Sequence, residues 1–207
     1  YPSSIRDGEA ALAIFPNQAP LYLYTGLAYA GAGKHDKAVP SLRNAAALET
    51  EDKEALAQIY AALGSSYHAL KRFKESDEAF EKSLGFSPRN TYTLNNYAYY
   101  LALREENLVR AEAMARLANE IEPGNPSFED TFAWILFKMK KYREARSWME
   151  RAISDGGNNG TQFEHYGDIL FHLGEVDHAV GQWKKALEKG ARSELLEKKI
   201  HEKKYYK

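Results

Sequence analysis

A repeating interval runs through this chain. Four stretches read alike: AGAGKHDKAVPSL, HALKRFKESDEAF, FKMKKYREARSWM and FHLGEVDHAVGQW. Each passes from an apolar helix end, through a short basic or glycine-bearing turn, into a second helical segment. A small residue recurs at Gly26, Gly64, Ala98, Ala133 and Gly167, at intervals of 38, 34, 35 and 34. A second marker recurs at Ala38, Ser76, Ala111, Ala145 and Ala179, at intervals of 38, 35, 34 and 34. Self-similarity at such a period means stacked supersecondary units, because no unit of that length buries its apolar face alone.

The departures from 34 have simple causes. The extra four residues fall in ALETEDKEALAQ, between the first and second units. Four residues are about one helical turn, so they lengthen the next helix, from about Glu51, without rotating its apolar face. The extra single residue falls near REENL, where a loop absorbs it. Apolar residues follow helical spacing, as in Leu94, Tyr97, Ala98 and Leu101. Pro and Gly punctuate the ends at FPNQAP, FSPRN, EPGNP and SDGGNNG. No stretch alternates with period two for long enough to argue a strand. The pattern predicts twelve helices: one over residues 3–15, five pairs reaching residue 190, and a last over 192–205.

The markers resemble the tetratricopeptide repeat (TPR) family, whose motif places a bulky residue, Leu-Gly and Tyr in a first helix, then Ala, Phe, Ala and a closing Pro. The first unit has Tyr22, Gly26, Tyr29, Ala38, Leu42 and Ala45. The second has Tyr60, Leu63, Gly64, Tyr67, Phe80 and Pro88, with Ser76 and Ser83 in place of alanines. The third has Leu94, Tyr97, Ala98, Leu101, Ala111, Ala118 and Pro123. The fourth has Phe132, Ala133, Leu136, Ala145, Met149 and Ala152, and the fifth Phe163, Tyr166, Gly167, Leu170, Ala179, Trp183 and Ala186. The resemblance implies an all-α fold, a right-handed α-α superhelix of antiparallel helix pairs. It divides a single solenoid, 1–207, into a partial repeat 1–17, repeats at 19–50, 51–88, 89–124, 125–158 and 159–190, and a capping helix at 191–207. In that cap Leu195, Leu196 and Ile200 are expected to face inward, with a solvated lysine-rich outer side. Tyr1 falls in mid-unit, so further repeats are expected before it.

The resemblance also implies that the first helix of each pair lines a concave surface where partners bind. The residues for that surface lie between the packing markers. Early units place Leu23, Tyr24, Leu27 and Ala30, then Gln58, Ala61, Ala62, Ser65 and His68 there. The candidate contacts are Tyr92, Asn95, Asn96 and Tyr99, then Asp130, Trp134 and Phe137, then Glu164, His165, Asp168, Phe171 and His172. Large aromatics off the packing stripe mark a contact area, or else cover for a neighbouring helix or a buried tail. The Lys/Asn/Lys/Arg carboxylate clamp of chaperone adaptors in the family is absent.

One stretch, HYGDILFH at 165–172, invites a chemical reading, since His165, Asp168 and His172 share a helix face. The two imidazoles stand roughly 10 Å apart along the axis, which is poor for one metal ion. No serine, threonine or lysine is visibly set beside them as a nucleophile. A polar stripe facing a partner is the expectation, and no metal or cofactor is expected.

The bulk numbers close other doors. The net charge of −1 lacks the basic excess of a nucleic-acid binder. There is no cysteine, hence no disulfide, thiolate zinc site or cysteine nucleophile. No apolar run reaches the roughly 20 residues that span a bilayer, so no membrane insertion is expected. No phosphate loop or nucleophile elbow is present. The chain therefore reads as a non-catalytic protein–protein interaction scaffold. Its acidic and aromatic second half suits a protein or peptide segment with Lys or Arg plus apolar side chains. The alternatives are a self-assembling module and a glycan or small-molecule binder. The wording of the later repeats resembles bacterial proteins of the cell envelope, which favours periplasm or envelope over cytoplasm.

Overall fold

The structure, a computed structural model, describes residues 1–206. The described residues form twelve helices and no strand. In order these are α1 (Pro2–Ile14), α2 (Ala19–Gly31), α3 (His35–Leu48), α4 (Lys53–Ala69), α5 (Phe73–Phe86), α6 (Thr91–Arg104), α7 (Leu108–Ile121), α8 (Pro126–Lys138), α9 (Tyr142–Ser154), α10 (Gly160–His172), α11 (Val176–Glu188) and α12 (Glu194–Glu202). The all-α expectation holds, and so does the helix count.

The turns inside the pairs explain the period. Each contains a residue in the left-handed region at the same place, Gly33 (φ 72°), Lys71 (φ 59°), Glu105 (φ 56°), Lys140 (φ 62°) and Gly174 (φ 85°), and the third turn has Asn107 (φ 45°) there as well. The spacing of those at the shared place, 38, 34, 35 and 34, repeats the interval of the packing markers. Gly33 and Gly174 adopt that conformation without steric cost, whereas the lysines and Glu105 carry some strain there. Soon after each turn the second helix begins.

The inserted turn also lies where the spacing places it. Helix α4 has 17 residues and α2 has 13, a difference of four. Its start is fixed by two carboxylates. One Glu49 carboxylate oxygen accepts the backbone N–H groups of Thr50, Glu51 and Asp52 at 3.1, 3.2 and 3.1 Å. Asp52 then caps α4, accepting from Glu54 and Ala55 at 2.9 and 3.0 Å.

The chain forms two compact units, Tyr1–Tyr97 and Ala98–Lys207, divided within α6. In the first, α2 packs on α3 and α4 on α5, around Leu23, Val39, Leu42, Ile59 and Leu63. Small residues set the approach distance. A Cβ on Gly26 would stand 2.7 Å from Leu42, and one on Gly64 would stand 2.8 Å from the Phe80 ring. The two serines at alanine places are satisfied inside the core: Ser76 donates to the Gly64 carbonyl at 2.8 Å, and Ser83 to that of Ala57 at 2.7 Å. A buried hydroxyl without such a partner would cost stability.

In the second unit α8 packs on α9 and α10 on α11. Helix α8 is buried from Phe128 to Phe137 without a break, so it is covered on more than one face. Phe163, Leu170, Trp183 and Leu196 form a core in which Trp183 fills the space over Gly167. The last helix is shorter than expected and ends at Glu202, because Lys203 takes a left-handed conformation (φ 50°). Its orientation also differs from the expectation. Leu196 is fully buried, but Leu195 is 44% exposed and Lys199 is buried. The lysine has moved inside because two carboxylates wait there.

Candidate protein-interaction site

In the first unit, α2, α4 and the start of α6 present their off-core side chains to one groove of about 560 Å³. Its aromatic members are Tyr24 and Tyr92, 67% and 63% exposed. Gln58, Ala61 and Asn96 lie between them. Asn95 is buried, and its amide donates to the Asn96 side-chain oxygen at 3.4 Å. At one end the groove meets Glu49, Asp52 and Glu54, and none of the residues lining it is basic. The Asp52 and Glu51 backbone N–H groups hold the Glu49 carboxyl below the usual range, so it stays ionised. Such a surface attracts a cation beside apolar groups. Of the candidate contacts, Tyr92 and Asn96 line this groove and Asn95 adjoins Asn96. Tyr24 and the Glu49–Glu54 acidic end were not among them. The off-core position of Tyr24 signalled it, but the acidic end, Glu49 and Asp52 before α4 and Glu54 in its first turn, lies away from the marker positions of the repeat.

The second unit gathers the remaining candidates, and they meet the chain itself. Trp134 and Phe137, though placed off the packing stripe by their spacing, are only 7% and 5% exposed. The Trp134 ring stacks on His165 at 3.9 Å and on Phe137 at 4.8 Å. His165 donates from Nδ1 to Asp130 at 2.9 Å, and Tyr99 lies 6.4 Å from its ring. Burial, with the Asp130 charge added, pushes the Tyr99 hydroxyl up to about 12. Asp168 accepts from the Trp183 indole N–H at 2.9 Å. Its two oxygens also accept from the Lys199 ammonium at 2.8 and 2.9 Å, and the same ammonium reaches Glu164 at 2.8 Å. His172 donates to the Asp168 backbone carbonyl at 2.9 Å. A hollow of about 330 Å³ lies beside Trp134, with Lys199, Tyr205 and Tyr206 on another wall.

The polar residues of HYGDILFH thus have separate destinations: Asp130 for His165, Lys199 and Trp183 for Asp168, and a backbone carbonyl for His172. Among the described residues no three His, Cys, Asp or Glu side chains gather as metal ligands. No helix among them is long and apolar enough to cross a membrane. Phe137, Phe171 and His172 surround the ring of Tyr205 at 6.0, 6.4 and 4.7 Å between centroids. Spacing placed these residues on one surface, but not the tail that covers it.

The sequence profile of the tetratricopeptide repeat matches residues 57–90 and 131–154. No curated protein matches the chain by sequence. Solved structures do resemble it. The pilF protein of Pseudomonas aeruginosa aligns over 89% of this chain and 83% of its own, at 22% identity and a TM-score of 0.72. A thermophilic TPR protein of Thermus thermophilus aligns over 90% and 98%, at 15% identity and a TM-score of 0.74. A TPR protein of Parabacteroides merdae aligns over 96% and 76%, at 18% identity and a TM-score of 0.76. At these identities the likeness establishes the fold.

Proposed function

From the tetratricopeptide-repeat match at residues 57–90 and 131–154 and the fold shared with solved TPR proteins, we propose that the chain is a non-catalytic scaffold holding a segment of a protein partner in the groove of its first unit. The observation that carries this reading is the pairing of two exposed tyrosines, Tyr24 and Tyr92, with an acidic end in a groove that no basic residue lines. Tyrosine serves as an interface anchor because a large ring loses little entropy on ordering and its hydroxyl stays bonded. The carboxylates choose the charge of the segment and speed its arrival. The fitting partner segment is extended or helical, with Lys or Arg next to aliphatic or aromatic side chains.

A peptide library displayed on phage tests this directly. Selection on the intact chain should enrich basic–apolar sequences. A synthetic copy of an enriched peptide should bind about tenfold more weakly after Tyr24→Ala or Tyr92→Ala, the loss typical of an anchor residue. Helicity should not change, because both side chains lie outside the core. Enriched peptides indifferent to both substitutions would contradict the assignment. For the compartment we favour the bacterial cell envelope, on the wording of the later repeats alone.

A further inference from the structure

We propose that the pocket between α8 and α10 in the second unit receives an aromatic side chain, and that the chain's own C-terminal segment occupies it through Tyr205. The proposal concerns a different face from the groove of the first unit and does not depend on that reading. It begins with Lys203, whose left-handed conformation ends α12 and turns the chain back. The Lys204 N–H still reaches the Lys199 carbonyl at 3.2 Å, which closes the turn. Tyr205 is thereby laid between Phe137, Phe171 and His172, with the closest ring, His172, edge-on at 4.7 Å. An edge-on arrangement sets the positive rim of one ring against the negative face of another. The Lys199 ammonium lies 5.4 Å from the Tyr205 ring centre while it pairs with Asp168 and Glu164. Partial burial, with the Asp168 charge added, pushes the Tyr205 hydroxyl up to about 12.

The occupant therefore reveals the chemistry of the pocket: an aromatic ring for the Phe137–His172 wall, beside the ammonium of Lys199, which itself neutralises the carboxylates of α10. Two grips of unequal strength hold it. Helix α12 is anchored by Leu196 and Lys199, both buried. Beyond Lys203 the grip on this wall is the Tyr205 ring. Tyr206 turns instead to Glu202 and Lys198 of α12, so the segment is held to this wall by one ring and opens from it at low cost, as local opening precedes global unfolding. A partner segment that carries an aromatic residue would take the place of Tyr205 while α12 stays docked.

Competition measures this. The probe is a fluorescein-labelled peptide of residues 201–207, HEKKYYK. Its binding is read by polarisation against the native chain and against full-length Tyr205→Ala, which leaves Leu196 and Lys199 in place. If the tail fills the pocket about nine-tenths of the time, Tyr205→Ala should bind the peptide about tenfold more tightly than the native chain. A peptide with alanine in place of Tyr205 should lose that gain. Equal binding to both chains, or no binding to Tyr205→Ala while its helicity is native, would overturn the proposal. Should Tyr205→Ala lose helicity, His172→Ala in the native chain replaces it. It should loosen the tail, read as faster amide exchange at residues 204–206, and unchanged exchange there would equally overturn it.

Discussion

Single charged residues buried in this chain are answered individually. Lys199 is enclosed by Asp168 and Glu164, and Asp168 has the Trp183 indole as an additional donor. Removing one member of such a set costs about 3–5 kcal/mol, because the others keep an uncompensated charge. Glu129 is less well served. Its side chain is fully buried, and only one of its oxygens accepts from Arg151, at 2.8 Å. Burial pushes its carboxyl up, more than Arg151 pulls it down, and the Asp155 carboxylate adds to the rise. The sign of the pH effect follows. A carboxyl raised in the folded state stabilises the fold fully below its unfolded value of about 4.3 and loses that contribution as pH rises through the folded value. Glutamine imitates the protonated form. Glu129→Gln should therefore raise the melting temperature at neutral pH, and the gain should shrink as pH falls toward about 4.3. Thermal unfolding of both chains across that range checks it; a gain independent of pH would refute this account of Glu129.

At the scale of elements, pairing rests on contact between small and large residues. An alanine at Gly64 would put its Cβ 2.8 Å from the Phe80 ring, whereas one at Gly181, inside α11, would meet nothing within 4 Å. Overpacking a tight contact costs about 1–3 kcal/mol. Gly→Ala in an open helix interior gains about 1 kcal/mol. Gly64→Ala should lower the urea midpoint and Gly181→Ala should raise it; shifts of the same sign would contradict the packing argument. These contacts were legible in the sequence because they recur: the period sets Gly26 over Leu42, Gly64 over Phe80 and Gly167 over Trp183. The site was legible only in part. Spacing placed Trp134, Phe137, His165 and Asp168 off the packing stripe, but Lys199 reaches Asp168 from 31 residues away and outside any repeat. A lysine-rich terminal helix also looks the same on paper whether its lysines are solvated or paired. The Tyr205 contacts were hidden for a related reason, since a left-handed lysine leaves no compositional mark.

For the whole molecule, the residues that hold the fold differ from those proposed to bind. A repeat chain gains its stability from contacts between neighbouring elements, so side chains on its open faces are available for recognition. Here the first unit keeps such a face exposed, with Tyr24, Gln58 and Tyr92 about an acidic end. In the second, the tail covers the corresponding aromatic wall. The central claim is that partner segments dock on the face shared by α2, α4 and the start of α6. Hydrogen–deuterium exchange of the intact chain, with and without a saturating basic–apolar peptide from the phage selection, tests it most directly. The account predicts added protection in α2, α4 and residues 91–97 and none in α3 or α5; protection centred on α3 and α5 would contradict it.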